Sequence, residues 1–390
     1  MKKVGIIGGG PSGIMAAIWL KKILNNNIDV TIFEKKDKIG KKILASGNGK
    51  CNLSNINLTQ DCYNDSFISN VINNYSPSVL IDVFKTLGLL TTIDSSGRVY
   101  PITLSANSLL NVLLRNLNKY QVTVKTDSLV TKIDFDKKYI LTCDQNQYYF
   151  DYLILATGGT SASKLGSNGE GYKLVKPFNI KVTKIYPGLV GLKVNQFQIK
   201  GLDGIRQKAK VTLLKNEKVI FNEEGEVQFK KDGVSGIVIM DASRYIKDDS
   251  QYQLKLDLLP SLSELEIINF LKEQLDNGLE VALKGILPKM LSENIAEKGS
   301  DLKTITKLIK EFPLNIIGTY GFENSQVTLG GISLEEITPS FELKKLTNCY
   351  AIGELINIDG KCGGYNLHYA FSSGIVVANH IINKELTKGE

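Results

Sequence analysis

At 390 residues the chain is long enough for two or three domains, and its 43% hydrophobic and 22% charged residues describe an ordinary soluble globular protein with a sizeable interior. No apolar run approaches the roughly 18 residues of a membrane span, and the first strand starts almost at Met1, which leaves no room for a leader and makes the cytoplasm the expected compartment. The formal net charge of +7 comes from lysines scattered among acids, without an arginine-rich stripe carrying interleaved aromatics, so nothing in the charge pattern supports nucleic-acid binding.

Val4, Ile6 and Ile7 form an apolar run of strand type, and Gly8, Gly10 and Gly13 follow at G-x-G-x-x-G spacing before an apolar helix. In such a turn the first glycine permits the reversal, the second lets backbone approach a pyrophosphate, and the third lets the helix pack on the strand. The pyrophosphate is expected on the helix N-terminus, where unpaired amides and the helix dipole favour negative charge. A second apolar strand at 28–33 ends in Glu34, 21 residues after Gly13, where a carboxylate can accept hydrogen bonds from an adenosine ribose.

Residues 39–55 are polar and glycine-bearing, the composition of a loop whose amides and short side chains meet a ligand. Residues 57–90 read as mostly helical, 95–101 as a turn and short strand, and 107–117 as a helix. Arg98, one of four arginines, reads as an ordinary ion pair ahead of any substrate role. Short alternating runs at 122–124, 129–133, 139–143 and 148–150 predict a strand and a small meander. The stretch 151–160 predicts a buried strand ending in Ala156, Thr157, Gly158 and Gly159, able to lay backbone against a cofactor.

From 187 to 332 the texture changes. Residues 211–214, 218–222, 227–229, 237–240 and 254–258 predict antiparallel strands, 233–236 a tight turn facing the cofactor, and 261–311 charged helices. Residues 348–354 are another strand ending in Gly353 and Glu354, and 359–366 a second glycine turn into a helix with Leu367, Ala370, Phe371, Ile375 and Ala378 on one face. The N-terminus of that helix is a second expected anion site. The five cysteines form no C-x-x-C pair and no metal-ligand spacing with His368 or His380, so reduced thiols and no metal are expected.

Three cofactor-type strand ends are more than a nicotinamide-binding domain requires. The combination of 8–13, 151–159 and 352–366 resembles the FAD-binding fold of the glutathione-reductase and fumarate-reductase type. More narrowly, GKKILASGNGKCN at 40–52, GVSG at 233–236, QVTLGG at 326–331 and Gly353-Glu354 through CGGYN at 362–366 resemble the BaiN-type, or aminoacetone-oxidase-like, family of bacterial NAD(P)/FAD-dependent flavoproteins. These motifs occur in order over nearly the whole chain.

The resemblance implies an α/β protein: an FAD-binding Rossmann-like domain with an inserted mixed β-barrel plus helical domain. Its parts are 1–188, the insertion 189–334 with helices at about 261–311, and 335–390. It implies noncovalent FAD, with Gly8, Gly10, Pro11, Ser12 and Gly13 at the pyrophosphate, Glu34 with Lys35 at the adenosine ribose, and Val130, Ala156, Thr157 and Gly158 beside the adenosine. Lys42, Ser46, Gly47, Gly49, Lys50, Cys51 and Asn52 are implied to line the ribityl and flavin region, Gly353 and Glu354 the ribityl chain, and Gly364, Tyr365 and Asn366 the pyrimidine edge. The chain departs from relatives of that fold in three ways: no histidine precedes His368, no C-x-x-x-x-C dithiol follows the first βαβ unit, and no second G-x-G-x-x-G is present. The implied activity is hydride transfer through flavin to or from a small-molecule substrate, with NAD(P)H as a candidate donor. His368 and Cys51 are the weak candidates for acid–base or redox work, each reading first as a packed core group. A flavin-containing RNA-modification protein and a flavoprotein redox sensor are the alternatives.

Overall fold

The computed structural model describes residues 1–248, 250–299 and 301–387. Ser300, inside the stretch expected to be helical, and residues 388–390 of the expected C-terminal segment lie outside the described residues. Two units are present, Met1–Tyr186 with Val327–Glu390, and Pro187–Gln326.

In chain order the first unit carries β1 (Lys2–Ile7), α1 (Pro11–Leu24), β2 (Ile28–Phe33), α2 (Lys41–Leu44), β3 (Ser54–Asn55), α3 (Ser69–Asn74), α4 (Pro77–Leu87), β4 (Thr91–Ile93) and β5 (Arg98–Pro101). It continues with α5 (Ala106–Lys119), β6 (Thr123–Lys125), β7 (Val130–Asp136), β8 (Lys138–Cys143), β9 (Asn146–Phe150), β10 (Tyr152–Leu155) and α6 (Glu170–Val175), and β11 (Tyr186–Gly188) spans the junction in sequence. The second unit holds β12 (Leu192–Val194), β13 (Arg206–Lys215), β14 (Lys218–Lys230), β15 (Gly233–Ser235), α7 (Ile237–Ser243), β16 (Tyr252–Asp257), α8 (Glu264–Glu273), α9 (Leu279–Lys284), α10 (Lys289–Ala296), α11 (Leu302–Lys310) and β17 (Phe312–Thr319). The chain returns to the first unit with β18 (Val327–Leu329), β19 (Cys349–Ala351) and α12 (Tyr365–Leu386).

The first unit is built on a parallel five-stranded sheet in the order β19-β10-β1-β2-β6. Both faces of β1 are covered, with Val4, Gly5, Ile6 and Ile7 all buried, which explains an apolar run without alternation. The chain leaves β1 through α1 to β2 on one side and reaches β10 only later on the other. This reversal of strand order at the carboxyl end of β1 is where open α/β sheets bind ligands. Helices α1 and α12 pack together closely: an added Cβ at Gly374 would stand 2.5 Å from the Ser12 carbonyl oxygen. Ile14, Ile18, Phe371 and Ile375 are fully buried in that region, each side chain contributing about 1.5–3 kcal/mol. An antiparallel meander β7-β8-β9 and a small sheet β3-β5-β4 complete the unit.

In the second unit β12-β15-β14-β13-β16-β17 close into a barrel, accompanied in the same unit by α7 to α11. Three local expectations are corrected here. The 237–240 stretch, apolar and β-branched like a strand, is the helix α7: Gly236 turns the chain with φ 114°, the Met240 amide bonds back to the Gly236 carbonyl, and Val238, Ile239 and Ala242 are buried. Packing overrides β propensity in such short apolar runs. The turn expected at 233–236 is largely the barrel strand β15, where a Cβ on Gly233 would strike the Leu192 carbonyl oxygen at 2.2 Å. The strands expected at 218–222 and 227–229 are one strand, β14. In the first unit, residues 57–68 form 3-10 turns instead of helix, and α3 and α4 supply the helical part of that segment. The chain re-enters the first unit at Val327, ahead of the expected 335. Thr328 and Gly331 are already tied there: Thr328 Oγ1 accepts from the Thr160 amide at 2.7 Å and the Gly331 carbonyl from the Thr183 amide at 2.8 Å.

Candidate functional site

The carboxyl ends of β1, β2, β10 and β19 bring Gly8, Glu34, Ala156 to Gly159 and Gly353-Glu354 to one edge of the sheet. Gly8 has φ 114°, and a Cβ there would lie 2.3 Å from the Ala156 carbonyl oxygen. Gly13 seats α1 against β1, since its Cβ would lie 2.2 Å from the Gly8 oxygen. Gly10 differs: the space a Cβ would take is open to 4 Å. It caps α1, Pro11 follows at the first helical position, no side chain caps the end and no acid occupies the first turn. The amides there keep donors for a ligand anion.

Glu34 Oε2 accepts from the Gly9 amide and Oε1 from the Lys36 amide, both at 2.9 Å, so the carboxylate is held at the mouth of β2 with lone pairs to spare for a ribose. Beside it lies a cavity of about 410 Å³, its open mouth included, lined among others by Ile7, Gly8, Phe33, Glu34, Val130 and Thr157. Gly158, at φ 71°, turns the chain away after Thr157. Lys35 takes protein partners: its ammonium pairs with Glu170 Oε2 at 2.5 Å and with the Asn168 amide oxygen. Burial pushes the Glu170 carboxyl up, and the hydrogen bonds from Lys35 and Asn168 outweigh it, leaving it below the usual carboxylate range.

The 39–55 loop is held by its own backbone. Gly47, Asn48 and Cys51 are left-handed, at φ 55°, 53° and 58°, and the Ser46 hydroxyl donates to the Ile43 carbonyl at 2.6 Å. Lys42 Nζ pairs with Glu354 Oε2 at 2.5 Å, while Glu354 Oε1 accepts from the Thr328 amide at 2.8 Å. Space beside Gly49 is open, and Lys50 is exposed. Gly353, at φ 63°, meets Ser12: a Cβ there would stand 2.7 Å from the Ser12 hydroxyl. Asn52 Oδ1 is buried without a hydrogen-bond partner and would be 2.6 Å from a Cβ on Gly364. Gly364 caps α12, again without a side-chain cap or an acid in the first turn. Tyr365 is buried behind it, and the Asn366 side chain folds back, its Oδ1 accepting from the Gly360 amide at 2.8 Å and its Nδ2 donating to the Gly360 carbonyl at 2.9 Å. Asn366 therefore shapes the turn with its side chain, leaving its backbone for a ligand.

The two catalytic candidates are locked in the interior. His368 Nε2 lies 2.8 Å from the Tyr75 carbonyl, which can only accept, so Nδ1 accepts from the Ser54 hydroxyl at 2.8 Å. Burial lowers its pKa to about 4 and keeps it neutral. Cys51 is fully buried, and desolvation pushes its thiol up to about 11. Neither is poised to exchange a proton at neutral pH. Reading by residue type missed Thr328, whose hydroxyl accepts from the amides of Thr160 and Ser161 at 2.7 and 3.0 Å and fixes the turn after β10; its place in QVTLGG was the available signal.

These residues fit FAD. An open cradle at Gly10, a carboxylate at the rim of a cavity, two uncapped helix N-termini and an unpaired Asn52 oxygen beside Gly364 all lie in the first unit. A family model described as HI0933-like protein Rossmann domain matches residues 2–380. Among curated proteins, a 3-dehydro-bile acid delta(4,6)-reductase of Clostridium scindens is 33% identical, covering 96% of this chain and 97% of that protein. A ribosomal RNA dihydrouridine synthase of Haemophilus influenzae is 28% identical, covering 96% of each. Among solved structures, 3-ketosteroid delta1-dehydrogenase from Sterolibacterium denitrificans aligns with a TM-score of 0.53 at 11% identity over 98% of this chain and 100% of that one, a likeness of fold.

Proposed function

We propose, from the premise that this chain belongs to the HI0933-like Rossmann family of FAD-dependent oxidoreductases, that it reduces a carbon–carbon double bond conjugated to a carbonyl in a small-molecule substrate, with noncovalent FAD and NAD(P)H as candidate donor. The observation that carries the reading is end-to-end similarity, at 33% identity, to a reductase of a dehydro-bile acid, supported by the open space over Gly10 at the sheet edge. When bound, FAD supplies the hydride chemistry. The chain's part is to bind and orient. Gly8 to Gly13 and the N-terminus of α1 take the pyrophosphate, Glu34 the ribose, and Lys42 with Glu354 the ribityl region. The loop to Asn52 and the Gly364 to Asn366 turn hold the flavin end, where the N-terminus of α12 favours negative charge.

The relative named as a ribosomal RNA dihydrouridine synthase gives a second reading, reduction of a uracil double bond within RNA. Against it, residues 187–326 carry nineteen Lys and Arg against twenty Asp and Glu, so the insertion has no net positive charge to draw a polyanion. The test is the visible spectrum of the purified holoprotein under anaerobic conditions, before and after NADH or NADPH and then after an enone acceptor. Flavin bands that bleach with the nucleotide and return with the enone support the small-molecule reading. Bands unmoved by either nucleotide overturn the donor assignment, and dihydrouridine missing from the ribosomal RNA of a deletion strain would favour the second reading.

A further inference from the structure

Among the described residues Arg98 does not form the ion pair expected of it. The other arginines are engaged: Arg115 donates to the Leu87 carbonyl at 3.1 Å, Arg206 pairs with Glu226 at 2.9 Å, and Arg244 also has an interaction. Arg98 is half-buried, and among the described residues its guanidinium has no hydrogen-bond or ionic partner; its backbone is bonded, the amide to Asp94 Oδ1 and the carbonyl accepting from the Asp94 amide, both at 3.0 Å. That Asp94 oxygen is occupied by backbone, accepting from Ser96 as well at 2.9 Å.

Its position gives the vacancy meaning. Arg98 in β5 is paired in register with Asn55 in β3, and opposed residues of an antiparallel pair share a face. Asn55 Nδ2 donates to the Gly363 carbonyl at 3.0 Å, so this face of the sheet adjoins the turn that opens α12 at Gly364. Tyr100, two residues along the same strand and also half-buried, falls on the same face. A guanidinium carries five donors in a planar fork that matches a carboxylate, and an unpaired one offers all of them to a bound anion.

We propose that Arg98 is a specificity-determining residue that holds a carboxylate of the substrate, so that the substrate class is an unsaturated carbonyl compound that is also an organic acid. The inference rests on the small-molecule reading above. The carboxylate would accept two parallel N–H bonds from the fork.

The test is calorimetric titration of the oxidised holoprotein with cholate and with cholate methyl ester. Cholate is expected to bind about tenfold or more tighter than the ester, and Arg98→Gln to bring it down to the ester's level while leaving the ester unchanged, as loss of a charged hydrogen-bond pair does. Arg98→Lys, which keeps the charge and loses the fork, should fall between them. Labelling of the wild-type protein with phenylglyoxal, read by mass spectrometry, should modify Arg98 and be blocked there by cholate, a readout independent of any variant's folding. Equal affinity for acid and ester, an unaffected Arg98→Gln, protection by inorganic phosphate but not cholate, or no cholate binding overturns the proposal. Flavin reoxidation by an enone is a separate readout: reoxidation with an indifferent Arg98→Gln sinks this inference alone, and carboxylate binding through Arg98 without reoxidation sinks the reductase reading alone.

Discussion

Gly10 and Gly13 sit three residues apart in one motif, and the structure assigns them separable consequences. In Gly13→Ala the new Cβ would stand 2.2 Å from the backbone oxygen of Gly8, so α1 must move by roughly 1 Å or more to restore an ordinary contact. Such overpacking costs about 1–3 kcal/mol, against a helix-propensity gain of about 1 kcal/mol for replacing glycine. The expected net loss is up to about 2 kcal/mol, a fall of up to roughly 8 °C in the apoprotein's midpoint for a unit of this size. In Gly10→Ala the backbone is extended, at φ −85° and ψ −176°, and the Cβ meets nothing within 4 Å. Apoprotein stability should then change by no more than about 0.5 kcal/mol, the weaker cap offset by a less flexible unfolded chain. The methyl instead occupies the approach to the amides at the start of α1, and losing one charged hydrogen bond there weakens FAD by about tenfold to a hundredfold. Thermal unfolding of the apoproteins and fluorescence titration with FAD read the two effects separately. If Gly10→Ala destabilises the apoprotein as much as Gly13→Ala does, or binds FAD like wild type, the open space over Gly10 is not the cofactor's cradle.

His368 should give stability a pH dependence. Burial holds its pKa at about 4 against an ordinary 6.5, so the unfolded chain takes the proton first and stability drains as pH falls through that window, by about 3 kcal/mol in all; a denaturant series should find a shallower slope in His368→Gln. Thiol alkylation of the native protein, followed by peptide mass spectrometry, should mark Cys362, the one partly exposed cysteine, well before buried Cys51 and Cys349, whose thiols burial pushes up. Lys35→Ala should speed FAD release about two- to fivefold in stopped-flow fluorescence, because the Lys35–Glu170 pair joins two walls of the cavity beside Glu34 but is partly exposed, at 20% and 32%; a release rate equal to wild type would mean the pair does not restrain the cavity.

Legibility in the sequence followed the range of the interactions. The strand, glycine turn and acid of 4–34 were readable because each depends on neighbours within a few residues, and the meander at 130–150 was readable from its alternation. Helix α7 was not, because Ile237-Val-Ile carries β-branched side chains and becomes helical only through the Gly236 reversal and burial of Val238 and Ile239. Pairings across the chain were equally hidden. Lys42 and Glu354, 312 residues apart, were each expected beside the cofactor, and nothing local says that they bond to each other. Arg98 failed in the opposite direction: a common residue in an unremarkable strand implies an ion pair, and only the three-dimensional neighbourhood reveals that its guanidinium has no partner among the described residues.

The two helices at the sheet edge join these observations. A helix leaves four amides unpaired at its start, and ordinary helices use a Ser, Thr, Asp or Asn cap or an early acid to satisfy them. Three helices here do so, Ser76 capping α4, Ser263 forming a capping box on α8 and Asp301 capping α11, while α2, α3, α5, α7 and α10 begin with neither. Helices α1 and α12 instead begin at Gly10 and Gly364, with neither cap nor acid, in the same unit and against each other. The unpaired amides at these two starts are donors that a bound anion can satisfy. FAD should therefore stabilise the first unit by more than contact area alone provides, through the amides of α1 and α12 together.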